Sequence, residues 1–159
     1  MRGNNYFSAP VFWGTILLAV AFAFSNITYA QSPGFVTVQS DQPFNNTIKE
    51  AKKMVAQNGM MVLSTINQGK ILSMTGLSIK ATSLFIGNPN IGNKLFGADR
   101  GVGIAVPVRL NIYEGKDGKT YVSYIKPSER LSSFKNEKIN KIARMLDKKL
   151  AMLTGKISK

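Results

Sequence analysis

The sequence predicts an α+β fold, a mixed and mostly antiparallel sheet with helices on one face. Val106, Val108, Leu110 and Ile112 alternate with Pro107, Arg109, Asn111 and Tyr113, which is the pattern of a strand with one apolar and one polar side. Ile139, Ile142, Ala143, Leu146, Leu150 and Leu153 recur at helical spacing, the mark of a helix burying one stripe. Between the N-terminus and that helix the signals run strand, helix, strand, strand and a two-stranded hairpin. Helices layered on one side of a largely antiparallel sheet bury all these apolar faces together.

The elements follow in order. Residues 1–30 have the shape of a secretory signal: Arg2 without an acid, an apolar run from Val11 to Phe24, and small residues at Thr28 and Ala30. Export is expected, with cleavage after Ala30 and a periplasmic or extracellular product. The alternative is a membrane anchor formed by residues 11–24. Residues 31–159 then form a single domain.

Phe35 to Gln39 is β-rich and reads as the first strand. Asp41 or Gln42 is expected to cap a helix with Pro43 in its first turn. Phe44, Ile48, Ala51 and Val55 give that helix its stripe, and Asn58-Gly59 ends it. The apolar run Met60 to Ile66 predicts a buried second strand, followed by a turn at residues 67–70. Ile71 to Leu77 fits a short helix or an irregular crossing. Ala81 to Ile86 is the third strand and runs into Gly87-Asn88-Pro89. A short helix over Ile91 to Phe96 precedes a glycine-rich loop, Gly97 to Gly103. Pro107 marks the start or the edge of the fourth strand. Lys116-Asp117-Gly118 is a hairpin turn, and Thr120 to Ile125 is the fifth strand. The face on which Tyr124 falls depends on the hairpin register, because a slip of one residue reverses it. Gly155 is expected to end the last helix.

Composition removes several classes of function. The 159 residues contain no cysteine and no histidine. Disulfides, thiolate metal sites, cysteine nucleophiles and histidine general bases are therefore excluded. The eight carboxylates form no recognisable pair, and no catalytic residue, metal ligand or cofactor is assigned. The formal charge of +13 suits anionic partners, although solubility alone also explains it. No aromatic-basic motif accompanies the charge, so nucleic acid is not an expected partner.

Three groups of residues are candidate sites. Gly87, Asn88, Pro89 and Gly92, with Lys94 nearby, form either an anion cradle of backbone N–H groups or a plain structural corner in which Gly92 supplies a special backbone angle. Arg109, Asn111 and Tyr113, with Tyr124 if the register allows, form a polar sheet face that suits a ligand or a second subunit. Lys138, Lys141, Arg144, Lys148 and Lys149 give the last helix a cationic side, which suits a polyanion or a membrane surface as well as plain solvation.

Ile86-Gly87-Asn88-Pro89 with Gly92 resembles the Gly-Asn-Pro-x-x-Gly hallmark of the family known as domain of unknown function 302. Gly76-Leu77, the strand Val106 to Glu114, the turn Asp117-Gly118, the strand residues Val122-Ser123-Tyr124, and Pro127 resemble that family in the same order. The likeness runs from about Phe35 to Phe134. It implies a strand-helix-four-strand-helix domain of the TATA-binding-protein-like class that tends to pair as a homodimer, with no established activity. Members often carry Asp-His near the end of the second strand. Here the stretch is Ile66-Asn67-Gln68, so no role of that histidine carries over. The expectation is an exported, non-enzymatic binding domain, homodimeric, for an unknown small ligand or an envelope protein. A polyanion or membrane-surface binder and a hydrolase or transferase with an unrecognised site are the alternatives.

Overall fold

The computed structural model describes residues 34–157. The expected signal and its cleavage site lie outside them. The chain builds β1 (Phe35–Ser40), α1 (Phe44–Gln57), β2 (Met61–Ile66), α2 (Gln68–Ser73), β3 (Ala81–Gly87) and α3 (Pro89–Phe96). A 3-10 turn (Arg100–Ile104), β4 (Val108–Glu114), β5 (Thr120–Ile125), α4 (Pro127–Arg130) and α5 (Glu137–Ile157) complete it. The strands form one sheet in the order β1-β5-β4-β3-β2. All its pairings are antiparallel, so it is α+β as expected but not mixed.

The alternation in β4 sorts the two sides of the sheet. Val108, Leu110 and Ile112 join Leu84, Ile86 and Val122 in a core covered by Ala51 and Val55 of α1 and by Leu150 and Leu153 of α5. A second cluster packs Leu95, Val102 and Leu131 against Ile139 and Ala143 at the start of α5. Among the described residues no helix is long and apolar enough to cross a membrane.

Several local expectations are corrected. Neither Asp41 nor Gln42 caps α1. Pro43 holds the N-cap position and has no side chain that can accept a bond. The entry is stitched instead by Ser40, whose Oγ accepts from Gln42 N and from Thr47 Oγ1. Ser40 Oγ in turn donates to the carbonyl of Ile157. That contact and the burial of Ile157 accompany the continuation of α5 past Gly155, the end that the sequence predicts. The 67–70 turn is the start of α2, with Asn67 Oδ1 accepting from Lys70 N.

The second strand is not buried. β2 is an edge strand, mostly exposed, with a bulge between Val62 and Ser64. The glycine-rich loop contains the 3-10 turn, which Asp99 caps by accepting from Gly101 N.

Candidate functional site

The register places the open side of the sheet in rows. Phe35, Ile125, Arg109 and Phe85 occupy β1, β5, β4 and β3 at one end of the sheet. The next row is Thr37, Ser123, Asn111 and Ser83, and the row after it carries Gln39, Tyr121, Tyr113 and Ala81. An open recess of about 360 Å³ lies on this face, lined by Arg109, Asn111 and Tyr113 as the β4 alternation requires. Phe35, Ser123, Ile125 and Arg130 complete its walls.

A chain of hydrogen bonds holds the floor. Arg109 Nε donates to Ser83 Oγ at 2.8 Å, and Ser83 is only 1% exposed. The Ser83 hydroxyl donates to Asn111 Oδ1 at 3.3 Å, and Gln68 Nε2 donates to the same oxygen at 3.4 Å. Asn111 Oδ1 is thereby used twice, while its amide N–H groups have no protein partner among the described residues. Gln68 Oε1 is buried without a partner there. On the β1 side Thr37 and Ser123 share a hydroxyl bond.

Tyr113 is propped from behind. Its ring stacks on Tyr121 with centroids 5.6 Å apart. The Tyr121 hydroxyl donates to Asp117 Oδ2 at 2.6 Å. That bond, followed by the Lys119 backbone N–H, holds the Asp117 carboxyl below its usual range. The same bond raises the Tyr121 phenol.

Tyr124 does not belong to this face. Glu114 pairs with Thr120, so Tyr121 faces Tyr113 and Tyr124 falls on the opposite side. It is 4% exposed in the core beneath α5, where burial raises its phenol pKa and the Thr154 hydroxyl opposes that shift. It still contributes to the lining of the recess.

Gly87, Asn88, Pro89 and Gly92 lie on the other side of the sheet. They line an apolar groove of about 200 Å³ with Leu63, Leu146 and Leu150. Two of the backbone donors that an anion cradle would use are already taken. Ile91 N binds Asn88 Oδ1 and Gly92 N binds Asn88 O. Gly92 sits inside α3 without a positive φ, so it supplies no special angle. Lys94 is exposed on α3 and lines neither cavity. The corner and the sheet face are therefore two separate places.

On α5, Lys138, Lys141, Arg144 and Lys148 are exposed. Lys149 is not part of that free set, since its Nζ donates to the carbonyl of Asn58 at the end of α1. Among the described residues no group of acids is arranged to hold a metal ion.

The family model for the domain of unknown function DUF302 matches residues 36–157. The chain belongs to the DUF302 family. Its fold is that of a solved relative, an uncharacterized conserved DUF302 protein from Bacillus stearothermophilus. The TM-score is 0.74 at 23% identity, covering 79% of this chain and 99% of that one. Two curated relatives, each named Fluoride-specific ion channel FluC 1, come from Brucella suis biovar 1 (strain 1330) and Brucella abortus biovar 1 (strain 9-941). Both are 30% identical over 96 residues, 60% of this chain. This DUF302 chain spans less than two fifths of the length of those relatives, 38% and 36%.

Arg130, Ser83, Ser123, Phe35, Ile125 and Gln68 were not singled out as site residues by sequence. Ser123 and Ile125 follow from the hairpin register. Gln68 lies in the stretch where other DUF302 members often carry Asp-His, and that correspondence was the available pointer to it. Arg130 gives no signal, because α4 becomes a wall only once the chain is folded.

Proposed function

We propose that this DUF302 chain is an exported, non-enzymatic binding domain whose ligand occupies the recess on the open sheet face. The observation that carries this reading is the pair Arg109 and Arg130, which line the recess with no carboxylate within ion-pairing distance among the described residues. Polar and charged side chains gathered in one concave recess are the ordinary mark of a binding site. The walls carry no acid, histidine or cysteine to act as a base or nucleophile, which favours binding over turnover.

Pairing of two copies belongs to the same reading. Ile66, Ile71, Met74, Leu77 and Ile79 expose apolar surface beside the edge strand β2, and a partner subunit would cover it. Export rests on residues 1–30, with cleavage after Ala30.

Mass spectrometry of protein taken from its own envelope fraction tests all three parts. The expected spectrum is a dimer beginning at Gln31 with a small molecule retained, and Arg109→Ala or Tyr113→Phe should release that molecule. A retained molecule indifferent to both substitutions refutes the recess. A monomer, or an N-terminus still at Met1, refutes pairing or cleavage separately.

A further inference from the structure

We infer that the recess takes a small organic anion, with a carboxylate or phosphate head at Arg109 and Arg130 and an apolar body against Phe35 and Ile125. The inference rests on the recess being the ligand site and adds the chemical class of the ligand.

The polar groups of the lining are spent in one direction. Arg109 uses Nε on Ser83 and keeps both Nη groups without a protein partner among the described residues. Arg130 uses Nη2 on the carbonyl of Ile104 at 3.1 Å and keeps the rest. Each guanidinium is thus fixed by one bond while further N–H groups stay available, the arrangement that receives an oxyanion by paired bonds. Asn111 contributes in the same sense, because its oxygen is already taken by Ser83 and Gln68 and its amide N–H groups remain. The Tyr113 hydroxyl adds a further donor. A lining rich in unspent donors and free of carboxylates selects a ligand rich in acceptors.

The walls and the volume define the rest of the molecule. Phe35 and Ile125 face each other across β1 and β5 in the row that contains Arg109, and both are partly exposed. A bare ion would leave these side chains wet and most of the 360 Å³ unfilled. An organic body covers them. A volume of this size lies at the lower end of about 300–1,000 Å³, the range of small-molecule sites.

The test uses purified protein titrated with benzoate, phenyl phosphate, benzamide and sodium fluoride, followed by calorimetry and by amide chemical shifts. Benzoate or phenyl phosphate is expected to bind with shifts centred on Arg109, Asn111 and Ser123. Benzamide, the same ring without charge, should bind about 10- to 100-fold more weakly. The stronger of the two anions identifies the head group. Arg109→Gln should erase the preference for the anion, and Arg109→Lys should restore only part of it, with an unchanged amide spectrum elsewhere as the check on folding. Equal binding of benzamide in the recess, or an anion preference that survives Arg109→Gln, overturns the anion class and leaves the recess standing. Binding whose shifts map elsewhere overturns both readings. Fluoride binding without either organic anion overturns the organic class, and binding by none of the four probes overturns the inference.

Discussion

Asn88 and Gly59 are joined by a 2.7 Å hydrogen bond from the Asn88 side-chain amide to the Gly59 carbonyl. The other end of the same side chain, Oδ1, caps α3 by accepting from Ile91 N. Gly59 itself turns the chain out of α1 at φ 67, with Gly59 N on Ala56 O and Met60 N on Val55 O. One asparagine therefore fastens the start of α3 to the end of α1. Asn88→Ala should lower stability by about 1–3 kcal/mol, the sum of a lost cap and a lost tertiary bond. Asn88→Ser should keep a cap and lose only the bond to Gly59. Denaturant unfolding distinguishes them, and equal losses for both variants would refute this division of roles.

Two glycines make opposite predictions. A Cβ at Gly69 would clash with the carbonyl oxygen of Ile79, so only glycine lets α2 sit this close to the strand entry. Gly69→Ala should displace α2, carry Gln68 away from Asn111 and loosen the recess floor. The readout is a change in the Asn111 side-chain amide resonances together with lower stability. A Cβ at Gly92 meets nothing within 4 Å, and the residue is helical. Gly92→Ala should be neutral or stabilising by about 0.5–1 kcal/mol, which thermal unfolding measures.

Strand β4 and helix α5 were legible because each repeats its apolar residues at the period of its own geometry over many residues. The face of Tyr124 was not legible, because it turns on how five loop residues, 115–119, close the hairpin. Gly118 at φ 75 and the bond from Gly118 N to Gly115 O settle it. The exposure of β2 is not legible, because Met61, Leu63 and Ile66 look the same in sequence whether covered by this chain or left for another. Half the site was visible, since Arg109, Asn111 and Tyr113 share one strand and one parity. The other half comes from β1, α2, β3, β5 and α4, and no local pattern links Phe35 or Ser83 to Arg130. The Gly87-Asn88-Pro89 corner identified the family and still lies across the sheet from the recess.

Acid and alkali should act on the hairpin in opposite ways. The Asp117 carboxyl is held below its ordinary value of 3.8, chiefly by the Tyr121 hydroxyl. A depressed carboxyl contributes stability above its unfolded pKa and loses it as pH falls through the folded one. The Tyr121 phenol is raised above 10.0, so its contribution is present below that value and disappears as pH rises through the folded one. Tyr121→Phe should move the Asp117 titration upward when followed by carboxyl carbon NMR, and leave the ring stack on Tyr113 in place. An unchanged Asp117 titration would refute the assigned cause.

The lysines of α5 divide by what they touch. Lys149 places its ammonium on the Asn58 carbonyl, where the α1 C-terminus concentrates partial negative charge. Lys149→Met should lower stability by about 0.5–1.5 kcal/mol through that lost bond. Lys141 and Lys148 are exposed and make no hydrogen bond among the described residues, so Lys141→Glu with Lys148→Glu should shift stability by less than about 0.5 kcal/mol each. The double reversal also separates the recess from the cationic surface. Recess binding of benzoate or phenyl phosphate should persist, because neither lysine lines that cavity. Sedimentation with phosphatidylglycerol vesicles should show little attachment of the native protein at physiological salt. If the native protein sediments with them, and the reversal or a few hundred millimolar salt releases it, the basic face of α5 is a membrane-surface site and the recess is not the whole function.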